Sequence, residues 1–187
     1  VKFVEVEFKY NAENLSLSKF TEFCLDKKPK KFILASGYDH FYNSTKDKDS
    51  FCRLRVGPDS NQLTFKRKTS DLNNFVRTEH NIDMRNNVTM PQVEALCAEF
   101  GYTYNTSIFK NCFIYLYDWY TLVFYIVYDA ELKELGRFFE IEAKEDYPWK
   151  DANEPMEAIL VLEKTSKALG ISPQSRIKRS LWEMFKK

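Results

Sequence analysis

The chain has 187 residues, 29 % of them charged, and its 28 basic residues almost cancel its 27 acidic ones to leave a formal net charge of +1. That length fits one domain with a real core, and the balance excludes the strong basic excess of a nucleic-acid binder. The four cysteines, Cys24, Cys52, Cys97 and Cys112, form no C-x-x-C pair and have no histidines at zinc spacing, which excludes a ready zinc site and suits a reduced, cytoplasmic chain. No secretory signal is expected, and no membrane span, because the most apolar run, from Leu116 to Ala130, is interrupted by Asp118 and Asp129.

Period-two alternation opens the chain. From Lys2 to Lys9 it sets Glu5, Glu7 and Lys9 on one side of a strand and Val4, Val6 and Phe8 on the other. Ser18 precedes a short helix through Asp26, and a strand surrounds Tyr38 to Tyr42. Phe51 to Val56 aligns Arg53 with Arg55, and Leu63 to Lys68 aligns Lys66 with Lys68. The turn chemistry of Gly57-Pro58-Asp59-Ser60-Asn61 makes a hairpin of the two. Val76 to Asp83 continues with Arg77, Glu79 and Asn81 on one side.

Thr89-Met90-Pro91-Gln92 reads as the capped start of a helix that ends at Gly101. Strands over Ser107 to Tyr117 and Leu122 to Asp129 follow. After a turn at Glu131 to Gly136, a strand over Arg137 to Lys144 carries Glu140, Glu142 and Lys144 together. Glu154 to Leu169 is a helix stopped by Gly170, and Ser172-Pro173 opens a last helix with Ile177, Leu181 and Phe185 on one side.

Taken one at a time, such strands have one solvated face and one buried face. As a set they differ, because their polar positions are filled almost entirely by Glu, Arg and Lys in same-sign pairs that repel. A closed barrel with these charges inside relieves the repulsion: carboxylate pairs share cations and basic pairs share an anion. The expected fold is α+β, an eight-stranded antiparallel β-barrel with flanking helices. Its expected lumen holds Glu5, Glu7, Glu79, Asp129, Glu140 and Glu142 against Lys9, Arg53, Arg55, Lys66, Lys68, Arg77, Lys110 and Lys144. Oxygen ligands of this kind favour Mg²⁺ or Mn²⁺, and rows of Arg and Lys favour phosphate. Only His40 and His80 are available for histidine chemistry, so metal-assisted or electrostatic catalysis needs fewer assumptions than a triad.

Across nearly the whole chain the pattern resembles the CYTH, or triphosphate tunnel metalloenzyme, family. Glu5-Val6-Glu7-Phe8-Lys9 matches its Glu-x-Glu-x-Lys signature. Tyr38-Asp39-His40-Phe41-Tyr42, Arg53-Leu54-Arg55 and Leu63-Thr64-Phe65-Lys66 resemble its next strands, followed by Arg77-x-Glu79, Lys110, Asp129 and Leu135 to Glu142. The resemblance implies metal held by Glu5, Glu7, Asp129, Glu140 and Glu142. Glu5, Glu7 and Lys9 are then the catalytic set, and Lys9, Arg53, Arg55, Lys66, Arg77 and Lys110 grip a triphosphate, with Lys68 a further substrate-binding candidate beside Lys66. It implies a hydrolase of nucleoside, thiamine or inorganic triphosphate, with a class IV adenylyl cyclase and a non-enzymatic nucleotide or polyphosphate binder as alternatives.

Two departures stand out. The family's Lys-x-Arg is here Lys110-Asn111-Cys112, and its C-terminal Ser-Tyr is Ser180-Leu181-Trp182. One phosphate ligand is therefore missing, and either Lys68 or Arg67 substitutes for it or the chain binds a ligand it does not turn over. Asp39 and Glu79 read equally as counter-charges and as metal or water contacts. Arg176, Lys178 and Arg179 read as a solvated helix face, or as an approach to the tunnel mouth or to a nucleic acid. Tyr38, Phe41, Trp119 and Tyr120 are available for ring stacking there, although packing accounts for them too. The expected partner is a small-molecule triphosphate or nucleotide, with no nucleic acid or membrane, and the chain is expected as a monomer or homodimer.

Overall fold

The computed structural model describes residues 3–58, 61–68, 76–85, 87–143 and 154–186. Nine strands and four helices follow in chain order: β1 (Phe3–Asn11), α1 (Leu17–Asp26), β2 (Lys31–Ser44), β3 (Ser50–Val56), β4 (Asn61–Lys68), β5 (Val76–Met84), α2 (Met90–Glu99), β6 (Tyr102–Leu116), β7 (Tyr120–Tyr128), β8 (Glu134–Ala143), α3 (Glu154–Ala168), β9 (Arg176–Ile177) and α4 (Leu181–Phe185). All strand pairs are antiparallel, in the order β5-β4-β3-β2-β6-β7-β8-β1-β9.

β1 joins the two ends of that order. Its Glu7–Asn11 stretch pairs with Glu142–Phe138 of β8, while Phe3–Val6 pairs with Glu79–Val76 of β5. Eight strands are thereby linked in a ring, as the alternation predicted. The ninth, β9, takes the edge of β1 that β8 leaves open at Lys9 and Tyr10. Register shifts at Phe41/Tyr42 and Val127/Tyr128 are irregularities of the kind that bend and twist a strand.

Helices cover two stretches of the outward apolar face. Val6, Phe8 and Tyr10 of β1, with Leu122, Phe124, Phe139 and Ile141, pack against Phe20 and Cys24 of α1 and Ala158 and Leu162 of α3. Phe8, Phe20, Phe139 and Ile141 are completely buried, and each such side chain contributes about 1.5–3 kcal/mol. On another side, Cys52, Leu54 and Leu63 pack against Val93 and Cys97 of α2. α1 is capped by Ser16, whose Oγ accepts from the Lys19 N–H at 3.2 Å, and α2 by Gln92 Oε1, which accepts from the Thr89 N–H at 2.9 Å. Among the described residues no helix is long and apolar enough to cross a membrane.

The C-terminal segment corrects the sequence reading. In place of one helix from Pro173 there is a 3-10 turn (Pro173–Ser175), then β9, then α4. Two effects divide it. Arg176 and Ile177 find an open strand edge beside β1, with the Arg176 guanidinium 3.8 Å from the Phe8 ring centroid. Ser180 then starts a new helix: its Oγ accepts from the Glu183 N–H at 3.2 Å and Glu183 Oε2 accepts from the Ser180 N–H at 2.7 Å. The short α4 places Leu181 and Trp182 inside the barrel against Phe41, Phe51 and Phe138. Trp182 stacks on Phe51 at 4.9 Å and donates from Nε1 to Asn43 Oδ1 at 2.6 Å.

Candidate active site

Period two sends every second side chain of the ring into the barrel. The resulting cavity measures about 310 Å³ and is lined by five acidic groups, Glu7, Asp39, Glu79, Glu140 and Glu142, and five basic ones, Lys9, Arg53, Arg55, Lys66 and Lys110. The described side chains of the lumen are therefore formally balanced. An added polyanion would tip that balance unless cations came with it.

The charges are not scattered. In a ring of eight, β3 stands four places from β8 and β2 four places from β1. Arg53 and Arg55 on β3 thus look across the lumen at Glu140 and Glu142 on β8. Glu7 sits beside the latter, directly opposite Glu142 in the β1–β8 register.

On the acidic wall, Lys9 Nζ lies 3.3 Å from Glu7 Oε1 and 3.0 Å from Glu140 Oε1, and Tyr125 donates to that same Glu140 oxygen at 2.6 Å. Burial, and next the Glu7 charge, push the Glu142 carboxyl up to about 7. On the basic wall, burial of Asp39 favours its neutral form, but Arg55 and Lys110 outweigh it and hold the carboxyl well below its usual range. Arg55 donates to both Asp39 oxygens, from Nε at 2.8 Å and Nη2 at 3.1 Å, and Lys110 Nζ lies 2.9 Å from Oδ2. Lys66 meets Glu79 at 2.7 Å. Asp39 and Glu79 are thus counter-charges, one of the two roles the sequence left open.

Arg53 is held differently. Its Nη2 donates to the Thr64 hydroxyl at 3.2 Å, and its buried Nε has no hydrogen-bond partner among the described residues. A guanidinium placed this way in a polar cavity is suited to an incoming anion.

Of the residues singled out in the sequence, Glu7, Lys9, Arg53, Arg55, Lys66, Lys110, Glu140 and Glu142 line one cavity. Asp129 does not join them. It lies in the β7–β8 turn, where its Oδ1 accepts from the Glu131 N–H at 3.0 Å and the Lys133 N–H at 2.8 Å, so it closes a turn. The backbones of Glu5 and Arg77 face each other in the β1–β5 ladder, as do those of Lys68 and Arg77 in β4–β5. The side chains of Glu5, Lys68 and Arg77, and all of Lys144, fall outside the described residues.

Several lining residues escaped the sequence reading, among them Gln62, Thr121 and Tyr125. Gln62 alternates with Lys66 on β4 and was within reach of the same periodicity. Tyr125 was not, because β7 is apolar on both faces. Neither histidine lines the cavity, and His40 instead pairs with Ser107 at 2.6 Å through Nδ1.

Among the described residues no three His, Cys, Asp or Glu side chains converge as a preformed metal cage. Glu7 and Glu142 nevertheless form a carboxylate pair, and Mg²⁺ is commonly held by one or two carboxylates together with substrate phosphates. The donor set therefore fits a hard divalent cation that arrives with a phosphorylated ligand.

No family model matches the chain, and no curated protein does. Solved structures do. A conserved hypothetical protein of Pyrococcus furiosus aligns over 97 % of this chain and 99 % of its own, with TM-score 0.76 and 21 % identity. A Vibrio parahaemolyticus protein provisionally named an adenylate cyclase aligns over 98 % and 97 %, with TM-score 0.70 and 16 % identity. A chain of the Schizosaccharomyces pombe Mediator head module aligns over 89 % and 94 %, with TM-score 0.65 and 11 % identity. At these identities the likeness is one of fold.

Proposed function

We propose that this protein is a divalent-cation-dependent hydrolase of a triphosphate compound whose phosphates lie in the barrel lumen, with Mg²⁺ or Mn²⁺ as cofactor. The observation that carries this reading is the division of one cavity into a carboxylate wall on β1 and β8 and a guanidinium wall on β3. A bare anion site would not need the first wall, and a metal store would not need the second.

In this reading Arg53, Arg55, Lys66 and Lys110 bind phosphate oxygens and fix the chain of phosphates across the lumen. Lys9, already between Glu7 and Glu140, neutralises charge that grows on the phosphoryl group in the transition state. Glu7 and Glu142, with Glu5 and Glu140 near them in sequence, hold the cation. When bound, it supplies phosphoryl polarisation and charge neutralisation. A carboxylate of the same wall orients the attacking water.

The test is incubation with ATP, thiamine triphosphate and inorganic triphosphate, each with Mg²⁺, Mn²⁺ or EDTA, and chromatography of all products. Metal-dependent phosphate release that disappears in Glu7→Gln supports hydrolysis. Cyclic AMP with pyrophosphate would replace it by the cyclase reaction, the second reading, which the name of the Vibrio parahaemolyticus neighbour favours. Tight binding with no turnover of any of the three would leave a sequestering protein.

A further inference from the structure

A second cavity, of about 280 Å³, lies beside the lumen between the N-terminal half of β2 and the turn that follows β3. Arg55, Lys110, Cys112 and Ile114 line both cavities. The two therefore adjoin where Asp39 holds Arg55 and Lys110. The other walls, Ile33 to Gly37 of β2 with Gly57 and Pro58 of the turn, carry no charged side chain. Gly37 is needed for this shape, because a side chain there would collide with the Val56 carbonyl oxygen where the turn crosses β2.

The strand beside this cavity is half-paired. β2 pairs with β6 along its whole length, but with β3 only from Tyr38 to Asn43. From Lys31 to Gly37 one backbone edge has no strand partner among the described residues, leaving peptide donors and acceptors next to the apolar side chains of Ile33 and Leu34. Leu34 is 65 % exposed. The volume is near the lower end for small-molecule pockets, about 300 Å³, and apolar walls with a few polar groups are their usual lining.

We propose that this side cavity takes the base of a nucleoside triphosphate whose phosphates occupy the lumen. The proposal rests on the polyphosphate reading above. A neutral flat heterocycle has apolar faces for Ile33, Leu34 and Ile114 and an edge of donors and acceptors for the open β2 backbone. A cationic ring would meet Arg55 and Lys110 at the junction and no carboxylate in the uncharged walls. A bare triphosphate would leave the cavity unused.

Equilibrium binding in Mg²⁺ tests this with the β,γ-imido analogue of ATP, thiamine triphosphate and inorganic triphosphate as probes. Wild type should bind the ATP analogue at least about tenfold more tightly than either of the others. Ala35→Phe, which fills the side cavity from an exposed position, should bring the ATP analogue within about twofold of inorganic triphosphate. Ile33→Ala should weaken the ATP analogue alone by several-fold. Unchanged binding of inorganic triphosphate reports that each variant is folded with its lumen intact. Equal wild-type affinity for the three probes, or parallel losses for all of them in both variants, would overturn the assignment. Failure of inorganic triphosphate to bind wild type at all would remove the lumen reading, and this proposal with it.

Discussion

Glu7 and Glu142 stand directly opposite one another on neighbouring strands, both inside the barrel. Like charges in that relationship destabilise a sheet, and burial adds to the cost of ionising the pair. Glu142→Gln should therefore stabilise the ligand-free protein, by about 1 kcal/mol, while removing metal-dependent phosphate release. Thermal unfolding and the product assay check the two halves together. A variant that lost stability as well as activity would show that the pair is held for the fold and not for a ligand.

Asp39 is the opposite case, a 1 % exposed carboxylate carrying both Arg55 and Lys110. Breaking a fully buried pair by removing one member leaves uncompensated charge, at a cost of about 3–5 kcal/mol; with the Arg55 side chain 41 % exposed, solvent screening lowers this to about 2–3 kcal/mol. Asp39→Asn should lose about that much at neutral pH. Because the folded carboxyl is held below its ordinary value, the stabilisation is fully present above the unfolded pKa, roughly 3.9, and fades as pH falls below it. Denaturant titrations at pH 7 and pH 3 should show the gap between wild type and variant closing in acid. A gap independent of pH would mean that packing, not charge, accounts for the loss.

The barrel and most of its charged lining were legible because β1, β3 and β8 alternate clearly, and because their polar positions are filled mostly by same-sign Glu or Arg pairs and not by the usual mixture of a solvated face; β4 repeats the period with Gln62 and Thr64 beside its lysines. What could not be read has physical causes. Asp129 has the right residue type at the end of the right strand, but two backbone N–H groups capture its carboxylate. Val123 and Tyr125 line the cavity, yet β7 is apolar on both faces and gives no period to read. The C-terminal helical pattern yielded to an open edge of β1, a tertiary feature without a local signal. The half-paired length of β2 depends on where β3 ends, so the side cavity was invisible to periodicity.

Trp182 links that C-terminal segment to the lumen: it is 6 % exposed, stacked on Phe51 and hydrogen-bonded to Asn43, and it lines the cavity. Trp182→Ala should cost about 3–5 kcal/mol. Ligand entry into the lumen should alter the intrinsic tryptophan fluorescence of wild type, and the change should be largely absent in Trp182→Phe. A full fluorescence response retained in Trp182→Phe would place the ligand elsewhere.

Cys112 occupies a lumen position two residues after Lys110, between Ala35 on β2 and Tyr125 on β7. Burial pushes its thiol up, so it offers neither a reactive thiolate nor a cation to phosphate. Replacing it with arginine adds a sixth positive charge to a described lining that is otherwise balanced five to five. Without ligand the new guanidinium faces Lys110 and Arg55 with no added carboxylate, so Cys112→Arg should lower thermal stability. With ligand the same charge meets phosphate, and affinity for inorganic triphosphate should rise roughly tenfold at low salt. The lumen is open to ions, so the gain should shrink as ionic strength rises. Binding measured at 50 mM and 500 mM salt, roughly a threefold change in screening length, separates this from a packing effect. Weaker binding of inorganic triphosphate by a folded Cys112→Arg protein would mean that the phosphates do not pass this point of the lumen.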